Sequence, residues 1–192
     1  MAHEFVPPFF LGSCDPEEAD IALFGVCWDG TSSFKAGSRF AGFAVREASF
    51  GMEEFSFYQR RSLLDVKYAD YGDLFLPPGQ KERVLEDIGS AVREIRGRGQ
   101  FPIAFGGEHL VALPLILAAF EEHPGLALIH FDAHADLRPD LWGDPLTHAT
   151  VIGRAAERVG FANLFQFGIR SGSVEEWELS QKHRTIRPFT TE

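Results

Sequence analysis

Residues 126–136 read LALIHFDAHAD. An apolar run holding one histidine leads into Asp132, His134 and Asp136 at every second position. Side chains alternate between faces along an extended chain, so these three share one face and Ala133 and Ala135 occupy the other. Two carboxylates and an imidazole at the end of a buried strand repel and desolvate one another unless a cation sits among them. The spacing therefore predicts a strand that ends in a divalent-metal site. The competing reading is a solvated polar turn, and a second cluster upstream weighs against it.

That cluster is the segment 101–109, FPIAFGGEH. A short apolar strand runs into Gly106 and Gly107, which let the backbone turn sharply and approach a ligand. His109 then stands between this strand and an apolar helix expected over 110–120. Alone, such a histidine is more often a helix cap or a hydrogen-bonded core residue. Beside DAHAD on the next strand it reads as a ligand. His109, Asp132, His134 and Asp136 offer two imidazoles and two carboxylates without a thiolate, which suits manganese, zinc or iron. A carboxylate between two histidines can bridge two metals, and the chemistry this suggests is metal-assisted hydrolysis.

The rest of the chain alternates strand and helix. Strands are expected at 20–26, 66–69, 101–105, 126–131 and 163–167, with the start of a sixth in the tail. Helices are expected at 43–50, 81–98, 110–120, 149–159 and 174–182, with His148 opening the fourth. In the second helix Val84, Leu85, Ile88, Val92 and Ile95 recur at helical spacing. Such alternation implies a parallel sheet with helices on both faces, in which ligands bind beyond the C-terminal strand ends. Asp29, Asp73, His109, Asp132–Asp136 and Arg170 all fall at such ends. The pair Asp70 and Asp73 reads as turn chemistry, and Arg170 as a structural ion-pair partner. Residues 1–18 form an irregular arm broken by Pro7 and Pro8, leaving 19–192 as one domain.

With 192 residues, 45% of them hydrophobic and 19 of them Phe, the chain can bury a sizeable core. Its 28 acidic and 18 basic residues give a net charge of −10, which argues against nucleic acid or an anionic membrane as partner. No apolar run is long enough to cross a membrane, and the N-terminus lacks the pattern of a signal peptide. Cys14 and Cys27 make neither a disulfide framework nor a zinc pattern, and reduced thiols in a cytoplasmic protein is the plain reading. The loop TSSFKAGSRFAG lacks the spacing of a phosphate-binding loop.

GGEH before a helix, then HFDAHAD, then GIRSGSVEEWE together resemble the ureohydrolase family, and within it the agmatinase branch. GTSSFKAGSRFAGFAVREAS resembles the family's N-terminal loop and first helix. The resemblance spans about Asp20 to Gln181 and implies a three-layer α/β/α fold with a mainly parallel sheet, arginase/deacetylase-like. It further implies two Mn2+ ions and hydrolysis of a guanidinium group to urea by a hydroxide bridging them. By motif His109 would ligate one manganese and His134 the other, with Asp132 bridging both. Asp136 would bind the first, stabilise the hydroxide and pass its proton towards the leaving amine. His148 would be a proton shuttle or substrate contact, with a helix-capping role as the alternative.

The family's third motif, of the form SxDxDxxDP, does not occur before Glu192. The resemblance thus implies an incomplete domain: about the first two-thirds of an enzyme, four ligands of six, weak metal binding and little turnover. A fragment, a truncated product, one piece of a split enzyme and a non-catalytic remnant are the options. The loop LRPDLWGDPLTHA lacks the Asn and Ser with which arginase-type members read an α-carboxylate, and it carries Asp140 and Asp144. That ranks agmatine first as a small cationic substrate. Arg138 leaves room for guanidinobutyrate or formiminoglutamate, and arginine comes last. The complete enzyme is expected to be a homo-oligomer in polyamine biosynthesis.

Overall fold

The computed structural model describes residues 5–6, 10–77 and 79–187. Expectations for the proline-rich part of the arm and for the tail beyond 187 lie outside the described residues. The chain divides into two compact units, residues 1–111 and 112–192.

The first unit contains β1 (Phe5–Val6), β2 (Ile21–Gly25), α1 (Ala41–Ser49), the small antiparallel hairpin β3 (Phe55–Ser56) and β4 (Arg61–Ser62), β5 (Tyr68–Leu74), α2 (Lys81–Gly97) and β6 (Phe101–Phe105). Its main sheet has the order β1-β5-β2-β6. The last three strands are mutually parallel and β1 is antiparallel. Of the five apolar residues at helical spacing in α2, Val84, Ile88, Val92 and Ile95 are buried and Leu85 is half-buried, and Ala91 joins the buried face. At roughly 1.5–3 kcal/mol for each large apolar side chain, this face holds the helix in place far more firmly than propensity could. Buried Gln100 fastens the far end of the sheet, donating from Nε2 to the carbonyls of Ala19 (3.0 Å) and Pro16 (2.8 Å).

One expectation fails here. The second strand does not end at Ala69 but runs on to Leu74, so Asp70 and Asp73 lie within it. Their charge is tolerated because Arg46 of α1 is fully buried beside them. Its guanidinium donates to Asp70 through Nε (2.7 Å) and Nη2 (2.8 Å), to the Gly72 carbonyl (2.8 Å) and to Asp73. Burial works against the charged guanidinium, but the two carboxylates outweigh it and raise the Arg46 pKa.

The second unit contains α3 (Ala112–Glu122), β7 (Leu128–Phe131), α4 (Val151–Val159), β8 (Leu164–Phe167), α5 (Val174–His183) and β9 (Ile186–Arg187). Its strands are parallel in the order β7-β8-β9. Its core is built from Leu113 and Ala118 of α3, Leu164 of β8, and Val151, Ile152, Ala155, Ala156 and Val159 of α4. His148 does not open α4; it lies in the turns before the helix, which starts at Val151. Thr150 is the reason: its hydroxyl accepts from the Thr147 N–H (2.9 Å) and donates to the Thr147 carbonyl (3.0 Å), winding a separate turn.

Both units are thus α/β with parallel strands, as the alternation implies. Among the described residues no helix is long and apolar enough to cross a membrane. Among the described residues β6 and β7 stand last in their own sheets, and they carry exposed Phe101 and Phe131 respectively.

Candidate metal centre

The DAHAD segment leaves β7 and is pinned by its backbone at nearly every residue. The Asp132 N–H donates to the Phe167 carbonyl (3.1 Å), and the Ala133 carbonyl accepts from the N–H groups of Arg170 (2.9 Å) and Ser171 (3.2 Å). The Ala135 carbonyl accepts from Gln166 Nε2 (2.7 Å), and the Asp136 carbonyl from the Gly153 N–H (3.0 Å). The last of these satisfies one of the orphan donors in the first turn of α4. The small alanines therefore allow close packing against β8 and the loop that leaves it.

The two-residue alternation does not survive to its end. Asp136 has φ +51°, a left-handed conformation that costs a residue with a side chain energy, though Asp tolerates it better than most. Buried Glu176 of α5 holds the turn. Its Oε1 accepts from the Leu137 N–H (3.0 Å), while Oε2 accepts from Arg138 Nε (3.2 Å) and the Ser173 N–H (2.8 Å). Ser173 in return caps α5 by accepting from the Glu176 N–H (3.3 Å). One carboxylate thereby caps a helix, pairs with Arg138 and fixes the residue after Asp136.

Asp132 and Asp136 come together with His130, the histidine inside the strand, their ligand atoms lying within 4.8 Å of one another. His134 is 62% exposed at its side chain; its N–H donates to Asp132 Oδ1 (2.9 Å) and its Nδ1 lies 3.7 Å from the same oxygen. The sequence reading does not single out His130. The signal was present, because 130, 132, 134 and 136 continue one two-residue series. Donor set and spacing suit a divalent metal bound by imidazole and carboxylate.

His109 opens a single 3-10 turn, His109–Val111, at the end of the first unit. Its neighbour Glu108 is buried and organises this corner, with Oε1 accepting from Thr31 Oγ1 (2.6 Å) and Oε2 from the Leu110 N–H (2.9 Å). The glycine pair has a different use from the one expected. A Cβ on Gly107 would stand 1.9 Å from the Trp28 carbonyl oxygen, so the close approach is to backbone, sealed by the Glu108 N–H donating to that same oxygen (2.9 Å).

Asp29 is buried and organises its own loop, accepting from the N–H groups of Gly37 (2.6 Å) and Arg39 (3.2 Å) and pairing with Arg39 Nη2 (2.5 Å). Burial pushes this carboxyl up, but the Arg39 guanidinium and the two N–H donors outweigh it and hold the pKa below the usual range. Cys27, beside Asp73, has its thiol pushed up to about 12, first by burial and then by that carboxylate. Arg170 is exposed and lines a cleft of about 510 Å³ with Ala135, Ser171, Ser173 and Trp177. His148 is half-buried.

Comparison with known proteins places these features in context. A model of the arginase family matches residues 19–192. The agmatinase of Bacillus subtilis (strain 168) is 48% identical over 167 residues, covering 87% of this chain and 58% of that protein. A crystal structure of a putative agmatinase from Clostridium difficile superposes with a TM-score of 0.87 at 39% identity, covering 90% of this chain and 63% of that one. The agmatine ureohydrolase of Thermoplasma volcanium gives 0.83 at 31% identity, covering 95% and 61%. The chain thus spans about three-fifths of the length of the relatives it matches.

Proposed function

The chain belongs to the arginase family, and from that premise we propose that it takes part in the metal-dependent hydrolysis of agmatine to putrescine and urea. The observation that carries the reading is the convergence of the Asp132 and Asp136 carboxylates, with His130 beside them, where β7 gives way to the DAHAD segment. We assign His109, Asp132, His134 and Asp136 as ligands of Mn2+, two ions per complete site, in a cytoplasmic homo-oligomer. Bound metal would supply Lewis-acid charge and make water nucleophilic near neutral pH.

The remaining work falls to this chain's own groups. Water adds to the guanidinium carbon, the bond from that carbon to the butyl-chain nitrogen breaks, and urea and the amine separate. An Asp136 carboxylate oxygen takes the proton that the attacking water loses, and the His148 imidazole delivers a proton to the departing nitrogen. The turn at Asp136, fixed from both sides by Gly153 and Glu176, keeps that carboxylate aimed while the proton moves.

The Arg138–Glu176 pair supports a cationic substrate, since an arginine tied to a buried carboxylate is less available to a substrate carboxylate. Exposed Arg170 in the adjoining cleft favours a second reading, in which a guanidino acid such as guanidinobutyrate is preferred. The test is urea release by the protein that carries this sequence, loaded with Mn2+, from agmatine and guanidinobutyrate in parallel. Higher kcat/KM for agmatine, lost in His134→Ala, supports the first reading. Preference for the acid, abolished by Arg170→Ala, replaces it with the second. Unchanged metal content in Asp132→Ala would refute the ligand assignment.

A further inference from the structure

Grouped by distance alone, His130 is a candidate metal ligand. Its hydrogen bonds say otherwise. Gln166, fully buried in β8, sends Nε2 towards the Ala135 carbonyl (2.7 Å) and towards His130 Nδ1 (3.0 Å). A carbonyl oxygen only accepts, so the end of the amide facing Ala135 must be the NH2 group. The opposite end agrees, since Gln166 Oε1 accepts from the hydroxyl of Thr185, which is also fully buried (2.9 Å). The second hydrogen of the same NH2 then points at His130 Nδ1, which must accept it. The proton of the imidazole is left on Nε2, the nitrogen 3.5 Å from Asp132 Oδ2.

We propose that His130 is a positioning residue: the Thr185–Gln166 relay fixes it as the Nε2–H tautomer, and that N–H orients the Asp132 carboxylate for metal binding. Only the last clause rests on the metal-dependent reading above. With Nδ1 engaged by Gln166 and Nε2 protonated, His130 has no lone pair for a metal. A carboxylate oxygen 3.5 Å from that nitrogen lies where an outer partner can orient a ligating side chain. It also explains a buried histidine and a buried glutamine on neighbouring parallel strands, paired directly across the register at His130 and Gln166. Apolar residues at these two positions would pack as well but would leave the Ala135 carbonyl unsatisfied.

The test is nitrogen NMR of the protein labelled with 15N-histidine, first metal-free and then with Zn2+ as a diamagnetic probe. The expected result is a His130 signal pair of the Nε2–H tautomer, unchanged in type after zinc is added while other histidines shift. An Nδ1–H tautomer in the metal-free protein, or zinc coordination at His130 Nε2, overturns the proposal. Gln166→Glu supplies the second arm. A carboxylate can only accept, so it should draw the proton to Nδ1 and weaken Mn2+ binding, read by electron paramagnetic resonance, roughly 10-fold or more. An unchanged tautomer in that variant also overturns the proposal. The two claims fail separately: absence of urea release sinks the proposed function without touching the tautomer, whereas coordination at His130 sinks this inference and leaves hydrolysis standing.

Discussion

Removal of the Arg46 guanidinium is expected to be the most damaging single change in the first unit. Arg46 is 0% exposed and Asp70 is 5% exposed. The pair is bidentate, and the same guanidinium also serves Asp73 and the Gly72 carbonyl. In Arg46→Met the stem is roughly replaced in volume, but Asp70 keeps its charge without its counter-ion. Among the described residues, the N–H groups of Phe10 (2.5 Å) and Gly72 (2.9 Å) still donate to it. Breaking a buried ion pair from one side costs about 3–5 kcal/mol, a large fraction of the ~5–15 kcal/mol that holds a typical domain folded. Urea unfolding followed by circular dichroism should show that loss, with hydrogen exchange locating it in α1, β2 and β5. Most of the penalty is the stranded carboxylate, so Arg46→Met combined with Asp70→Asn should recover about 0.5–3 kcal/mol relative to the sum of the single changes. A loss under about 1 kcal/mol for Arg46→Met, or strict additivity in the double variant, would refute the reasoning.

Three other outcomes follow from the same structure. Gly107→Ala should destabilise by at least about 1–3 kcal/mol, because its Cβ meets the Trp28 backbone. Gly106→Ala should be milder in the same denaturation assay, because its Cβ meets the Val111 side chain at 3.3 Å rather than backbone. Glu176→Ala should cost about 2–3 kcal/mol, from the lost α5 cap and an unsatisfied Leu137 N–H, and should also weaken Mn2+ binding, with equilibrium dialysis as the check. Cys27 holds its proton in the folded state up to about 12, against 9.0 for an ordinary thiol. In the window between those values the unfolded chain binds fewer protons than the native one, so stability falls as pH rises through it. Cys27→Ala should flatten that part of a stability–pH profile, and iodoacetamide should label Cys27 in the folded protein far more slowly than in the unfolded chain.

The sequence by itself determined the order of the main strands and helices, though not β1 or the β3–β4 hairpin, because apolar periodicity and glycine or proline punctuation are local properties of the chain. It also located GGEH and DAHAD at strand ends, where parallel α/β sheets present their ligands. What it could not contain were the partners brought together by folding. Glu176 reaches Leu137 across 39 positions, Gln166 reaches His130 across 36, and Arg46 reaches Asp70 across 24. Those pairings decided the points on which local pattern failed. β5 continues through two aspartates because a buried arginine from α1 neutralises them. The alternation in DAHAD breaks at Asp136 because Gly153 and Glu176 impose a left-handed turn there. A two-residue period assumes an extended chain, and only tertiary hydrogen bonds decide where the chain stops being extended.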